Sequence, residues 1–126
     1  MSEALSLRFK AMADSIPRAR QAIKDLCARA GIREPRLGDI QIAVTEACTN
    51  CVLHAYDAPA DGSAYLLEAQ LEADNLVVVV SDHGRGLRGY TPGRGMNLIH
   101  QATDQVLITS PEGRGARIEM HFALTA

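Results

Sequence analysis

The sequence of 126 residues is 47% hydrophobic and 22% charged with a formal net charge of −2, which predicts about one globular domain over residues 1–126 and excludes the basic footprint of a nucleic-acid binder. No apolar run reaches the roughly 20 residues needed to span a bilayer, and the N-terminus has no basic stretch followed by an apolar one, so a cytoplasmic protein without direct nucleic-acid or membrane contact is expected. Cys27, Cys48 and Cys51 form neither an even nor a dense set, which predicts reduced thiols and no disulfide framework.

Residues 5–11 alternate, with Leu5, Leu7, Phe9 and Ala11 on one side and Ser6, Arg8 and Lys10 on the other, as an edge strand does. Asp14 or Ser15 can cap the helix that follows, Pro17 suits its first turn, and Ile16, Ala19, Ile23, Leu26, Cys27 and Ala30 give it an apolar stripe ending near Gly31. After the break at Glu34-Pro35, residues 37–56 form a second, amphipathic helix through Leu37, Ile40, Ala43, Val44, Ala47, Cys51 and Val52. Residues 57–63 hold Pro59, Asp61 and Gly62 and read as a loop. Tyr65, Leu67, Ala69 and Leu71 then alternate with Leu66, Glu68, Gln70 and Glu72 as a strand with one buried face, which Asp74-Asn75 turns back.

The aliphatic run 76–80 predicts a central strand that discharges into Ser81-Asp82-His83-Gly84-Arg85-Gly86, a common setting for a ligand. Gly84, Gly86, Gly89, Gly93 and Gly95 with Pro92 predict a mobile loop. Met96, Leu98, Ile99 and Ala102 predict a short helix after it. Residues 106–109 and 117–124 complete a hairpin around 111–115, with Ile118, Met120, Phe122 and Leu124 facing inward. The expected class is α+β: a two-layer sandwich in which helices cover one face of a mixed, mostly antiparallel sheet of about five strands.

Within the second helix Glu46, Asn50 and His54 are spaced four apart, so each advances only about 40° round the axis and all three share a face. A carboxylate and an amide one turn apart present oxygen toward a hard divalent cation or an activated hydroxyl. Cys48-x-x-Cys51 lies inside the same helical pattern, not on the turns that carry zinc-binding pairs, so small core residues are the better reading.

Three features thus occur in order: Glu46-x-x-x-Asn50 on a helix, Asp82-x-Gly84-x-Gly86 after a buried strand, and Gly93-x-Gly95 opening another helix. Together they resemble the GHKL ATPases, the superfamily of gyrase, histidine kinases and MutL, which share the Bergerat ATP-binding fold. The string 46–56, Glu-Ala-Cys-Thr-Asn-Cys-Val-Leu-His-Ala-Tyr, and the small size are most similar to the bacterial anti-sigma-factor serine/threonine kinases. The resemblance implies ATP and magnesium as cofactors, a sigma factor and a STAS-type anti-anti-sigma protein as partners, and the dimerisation common among relatives.

It also implies residue roles. Glu46 is the catalytic base; Asn50 holds magnesium; and Asn50, Asp82, Gly84, Gly86, Gly93, Arg94, Gly95 and Met96 line the nucleotide site, with Asp82 accepting from the exocyclic amine of adenine. The family match gives His54 no chemical task, so it is expected to be structural. Three positions depart from the pattern: Gly115-Ala116 stands where relatives often carry Gly-Thr, Leu87 where an aromatic is frequent, and His83 adds a titratable group beside Asp82. The rival expectations are a histidine-kinase-type ATPase domain acting in trans and a non-catalytic nucleotide-binding module that switches partners.

Overall fold

A computed structural model of the chain describes residues 3–54, 63–84, 94–110 and 115–124. The elements run β1 (Ala4–Lys10), α1 (Ser15–Arg29), α2 (Arg36–His54), β2 (Ala64–Glu72), β3 (Asn75–Asp82), α3 (Arg94–Ala102), β4 (Gln105–Thr109) and β5 (Ala116–Ala123). The expected loop at 84–95, the tip of the last hairpin and the end of the second helix at 55–56 fall largely outside the described residues.

The five strands form one sheet in the order β1-β2-β3-β5-β4. Every neighbouring pair is antiparallel, so the sheet is not mixed as expected. The physical reason lies in the α3 crossover. It carries the chain from β3 to β4, which runs the same way, but β5 returns through the gap between them and the two parallel strands never pair. The run 76–80 is central, as its continuous hydrophobicity predicts.

Register is set by the two-residue period of the strands. Tyr65 faces Asp82, Leu67 faces Val80 and Ala69 faces Val78, and across β5 Leu76 pairs Phe122, Val78 pairs Met120 and Val80 pairs Ile118. The apolar side chains among these lie on the helix-covered face with Ile23, Leu26, Ile40, Val44 and Ile99, in one buried cluster. Fully burying each large aliphatic or aromatic side chain contributes roughly 1.5–3 kcal/mol. The β2–β3 turn falls on Ala73 and Asp74, one residue earlier than expected, because Asn75 already pairs with Glu72. Ala73 takes φ 52° to close it, a strained backbone for a residue with a Cβ. Shifting the turn by one would drive the aliphatic row out of the core.

Local chemistry fixes the helix ends. α1 stops at Gly31, whose φ of 75° lets its N–H reach Ala28 O while Ile32 N–H reaches Cys27 O, as a left-handed C-terminal cap requires. At the other end Asp14 occupies the N-cap without a side-chain cap bond. Ser15 turns inward instead, donating to Met12 O and lying 2.6 Å from the Tyr65 hydroxyl. At the start of α2, Glu34 Oε1 accepts the Gly38 N–H at 2.5 Å. Arg36 pairs there with Asp39 and Asp104, and donates to Ala123 O at 2.7 Å. These contacts tie α2 to the far end of β5. The helix lies on β2, β3 and β5, with α1 and α3 packed against it.

Candidate functional site

The alternation that sends Leu76, Val78 and Val80 into the core sends Asp82 there too, and at 9% exposure it is the buried carboxylate among the described residues. A buried charge needs hydrogen bonds to offset its lost hydration. Oδ1 accepts the Gly84 N–H at 2.9 Å, and Oδ2 accepts the Cys51 thiol at 3.4 Å. Gly84 is fixed in turn, since its carbonyl accepts the Gly115 N–H at 2.9 Å. Gly115 has φ 76°, and a Cβ there would stand 2.4 Å from the Asp82 carbonyl oxygen, so only glycine fits. Ala116, an alanine with no hydroxyl to offer, lies directly opposite Asp82 across the sheet.

The second group of side chains comes from where α3 begins against α2. Glu46 and Asn50 are half-buried one turn apart. A Cβ built on Gly95 would lie 2.8 Å from Glu46 Oε2 and 3.7 Å from Asn50 Oδ1. The glycine therefore lets the start of α3 settle against both oxygens. Asn50 Nδ2 donates to Met96 Sδ at 3.6 Å. Because the amide nitrogen is engaged there, its oxygen is the group presented beside Gly95. A carboxylate and a neutral oxygen thus border the first turn of a helix, whose N–H groups lack intrahelical partners.

The structure brings Glu46, Asn50, Gly95 and Met96 into one group and Asp82 and Gly84 into another. Cys51, next to Asn50 in the chain, joins the two. Gly86, Gly93 and the Arg94 side chain lie outside the described residues, as do Leu87 and the His54 side chain. Cys51 is the residue that sequence reasoning missed. Its place on the buried stripe of α2 was legible, but not that the stripe aims a polar atom at the end of β3.

The cysteines are buried and free. Burial, then the Asp82 charge, pushes the Cys51 thiol well above its usual range. Burial raises Cys48 to about 12 against a smaller opposing hydrogen bond from Tyr65, and Cys27 to about 11. All three are S–H groups at neutral pH. Among the described residues no cluster of His, Cys, Asp and Glu is arranged to hold a metal by itself, and no helix is long and apolar enough to cross a membrane.

Residues 9–122 match the model of a family described as the histidine kinase-like ATPase domain. Among curated proteins, the chain is 26% identical to an anti-sigma F factor of Pasteuria penetrans, over 97% of this chain and 91% of that protein. It is 27% identical to the serine-protein kinase RsbW of Bacillus subtilis over 86% of this chain and 79% of that one. The RsbW of Listeria innocua is 33% identical over 67% of this chain, which spans about half of that protein, 53%. Among solved structures, a crystal structure of the RsbU and RsbW domains of a Mycobacterium tuberculosis protein superposes with a TM-score of 0.81 at 19% identity, covering 98% of this chain and 33% of that one. That likeness concerns the fold. With the family model spanning nearly the whole sequence and the strand-end aspartate and helix pair in place, the chain belongs to the histidine kinase-like ATPase domain family.

Proposed function

We propose that the protein is a cytoplasmic anti-sigma factor and ATP-dependent serine/threonine kinase, which sequesters a sigma factor and phosphorylates a STAS-type anti-anti-sigma protein. The observation that carries the reading is the meeting of Glu46 and Asn50 with Gly95 at the start of α3. It puts a carboxylate beside a helix N-terminus while Asp82 sits beyond Cys51 on β3. The relatives named anti-sigma F factor and serine-protein kinase RsbW support the reaction and the partner class.

In this reading Asp82 accepts the exocyclic amine of adenine on a carboxylate already oriented by Gly84 and Cys51. Gly84, held by Gly115, gives the base close access to backbone. The opening N–H groups of α3, which begins at Arg94, take the polyphosphate together with Gly86, Gly93 and the Arg94 guanidinium. The donor set fits magnesium, a hard cation that takes few protein oxygens besides those of phosphate and water. Asn50 Oδ1 would hold it. Magnesium supplies charge neutralisation on the phosphates when bound. Glu46 takes the proton of the partner's serine hydroxyl as its oxygen bonds to the γ-phosphorus and the bond to the ADP oxygen breaks.

Transfer of label from γ-labelled ATP to a purified STAS-type anti-anti-sigma protein tests this. Acid-stable phosphoserine is the expected product. An acid-labile phosphoryl group would favour a trans-acting histidine-kinase domain, and nucleotide binding without transfer to any such partner would reduce the protein to a non-catalytic module.

A further inference from the structure

We propose that Cys51 is a positioning residue for the Asp82 carboxylate, holding it in the orientation that receives the nucleotide base; this rests on the nucleotide reading above. Cys51 is 3% exposed and directly follows Asn50, so it leaves α2 about 100° round the helix from it. Its Sγ lies 3.4 Å from Asp82 Oδ2, while Oδ1 takes the Gly84 N–H at 2.9 Å. The Gly84 bond comes from two residues down the same chain and holds only one of the two carboxylate oxygens. The bond from Cys51 comes from a packed helix and fixes the second oxygen.

The strand neighbours do not duplicate it. Ala116, opposite Asp82 on β5, offers a methyl, and the Tyr65 hydroxyl on β2 lies 2.6 Å from Ser15 Oγ. In this contact the sulfur donates and the carboxylate oxygen accepts. Each carboxylate oxygen retains a lone pair for a ligand. Because α2 also carries Glu46 and Asn50, the contact ties the orientation of the base-recognising group to the helix that presents the oxygens beside Gly95.

Calorimetric titration of the whole chain with ADP and with ATP in magnesium decides the matter, using wild type, Cys51→Ala and Cys51→Ser, alone and combined with Asp82→Asn. Cys51→Ala, which removes the donor, weakens binding about three- to tenfold, as loss of one hydrogen bond predicts. Cys51→Ser restores a donor and recovers most of that loss. In the Asp82→Asn background, Cys51→Ala adds less than about twofold, because the two side chains act through one contact. Thermal melts of each variant register any loss of packing separately. Wild-type affinity in Cys51→Ala overturns the proposal. So do equal losses in Cys51→Ala and Cys51→Ser that add in full to Asp82→Asn, the signature of packing alone. A wild-type chain that binds neither nucleotide overturns the nucleotide reading itself, and the proposal with it.

Discussion

At the scale of single residues, the proposed reaction gives Glu46 and Asn50, neighbours on α2, separable jobs. Glu46→Gln keeps the shape and hydrogen bonding but cannot take a proton, so nucleotide binding persists while transfer falls by roughly 10²–10⁴-fold. Asn50→Ala removes the oxygen beside Gly95, so magnesium-dependent binding and transfer drop together. Single-turnover transfer and calorimetry on the same preparations separate them, and a wild-type transfer rate in Glu46→Gln would make the glutamate structural. Asp82→Asn places a donor where the adenine amine needs only an acceptor. Losing a hydrogen bond to a charged group weakens ATP binding by about 1.5–3 kcal/mol, roughly ten- to a hundredfold. Superimposable titrations of mutant and wild type would take Asp82 out of the site. The sequence placed Glu46 and Asn50 on one helix face and Asp82 at the end of a strand, because residue types and spacings are local facts. It left Cys51 as core filling, since the distance from its sulfur to Asp82 depends on how α2 lies across β3.

Packing between elements makes a different prediction at Gly95. This residue has a helical place in α3, where alanine is the better helix former by about 1 kcal/mol. Its Cβ would meet the mobile end of the Glu46 side chain at 2.8 Å, so the carboxylate shifts and the backbone stays. Gly95→Ala is therefore expected to keep or raise the melting temperature while transfer falls at least about tenfold, because small displacements of a reacting group are costly. A destabilised but fully active variant would contradict the geometry.

The thiols of α1 and α2 supply a second test at this scale. With Cys27 raised to about 11, Cys48 to about 12 and Cys51 well above its usual range, the native protein at pH 8 holds almost no thiolate at any of them. Iodoacetamide should leave all three unmodified over the time in which the urea-unfolded chain is labelled completely. Rapid labelling of the native chain at Cys51 would place that sulfur in solvent.

For the molecule as a whole, stability rests on the single layer between helices and sheet. Phe122 is fully buried there and Arg36 lies over its ring, 5.8 Å from the centroid. Phe122→Ala should lower the unfolding free energy by about 3–5 kcal/mol in urea melts, the range for deleting a buried aromatic. A loss below about 1 kcal/mol would mean that the layer closes over the gap.

The sequence by itself determined the element order, the α+β class, the central position of the aliphatic run 76–80 and the shared helix face of Glu46 and Asn50, because helix and strand periodicities and four-residue spacings are written along the chain. The antiparallel sheet was decided in three dimensions, since nothing local to β5 says that it must return between β3 and β4. The β2–β3 turn moved to Ala73 and Asp74 for a related reason: matching Leu71 and Ala69 against Leu76 and Val78 across the core outweighs the local preference of Asp-Asn for a turn. Tertiary structure also seated Gly95 against Glu46 and aimed Cys51 at Asp82. Contacts between residues far apart in sequence depend on the relative placement of packed elements, which no spacing along the chain encodes.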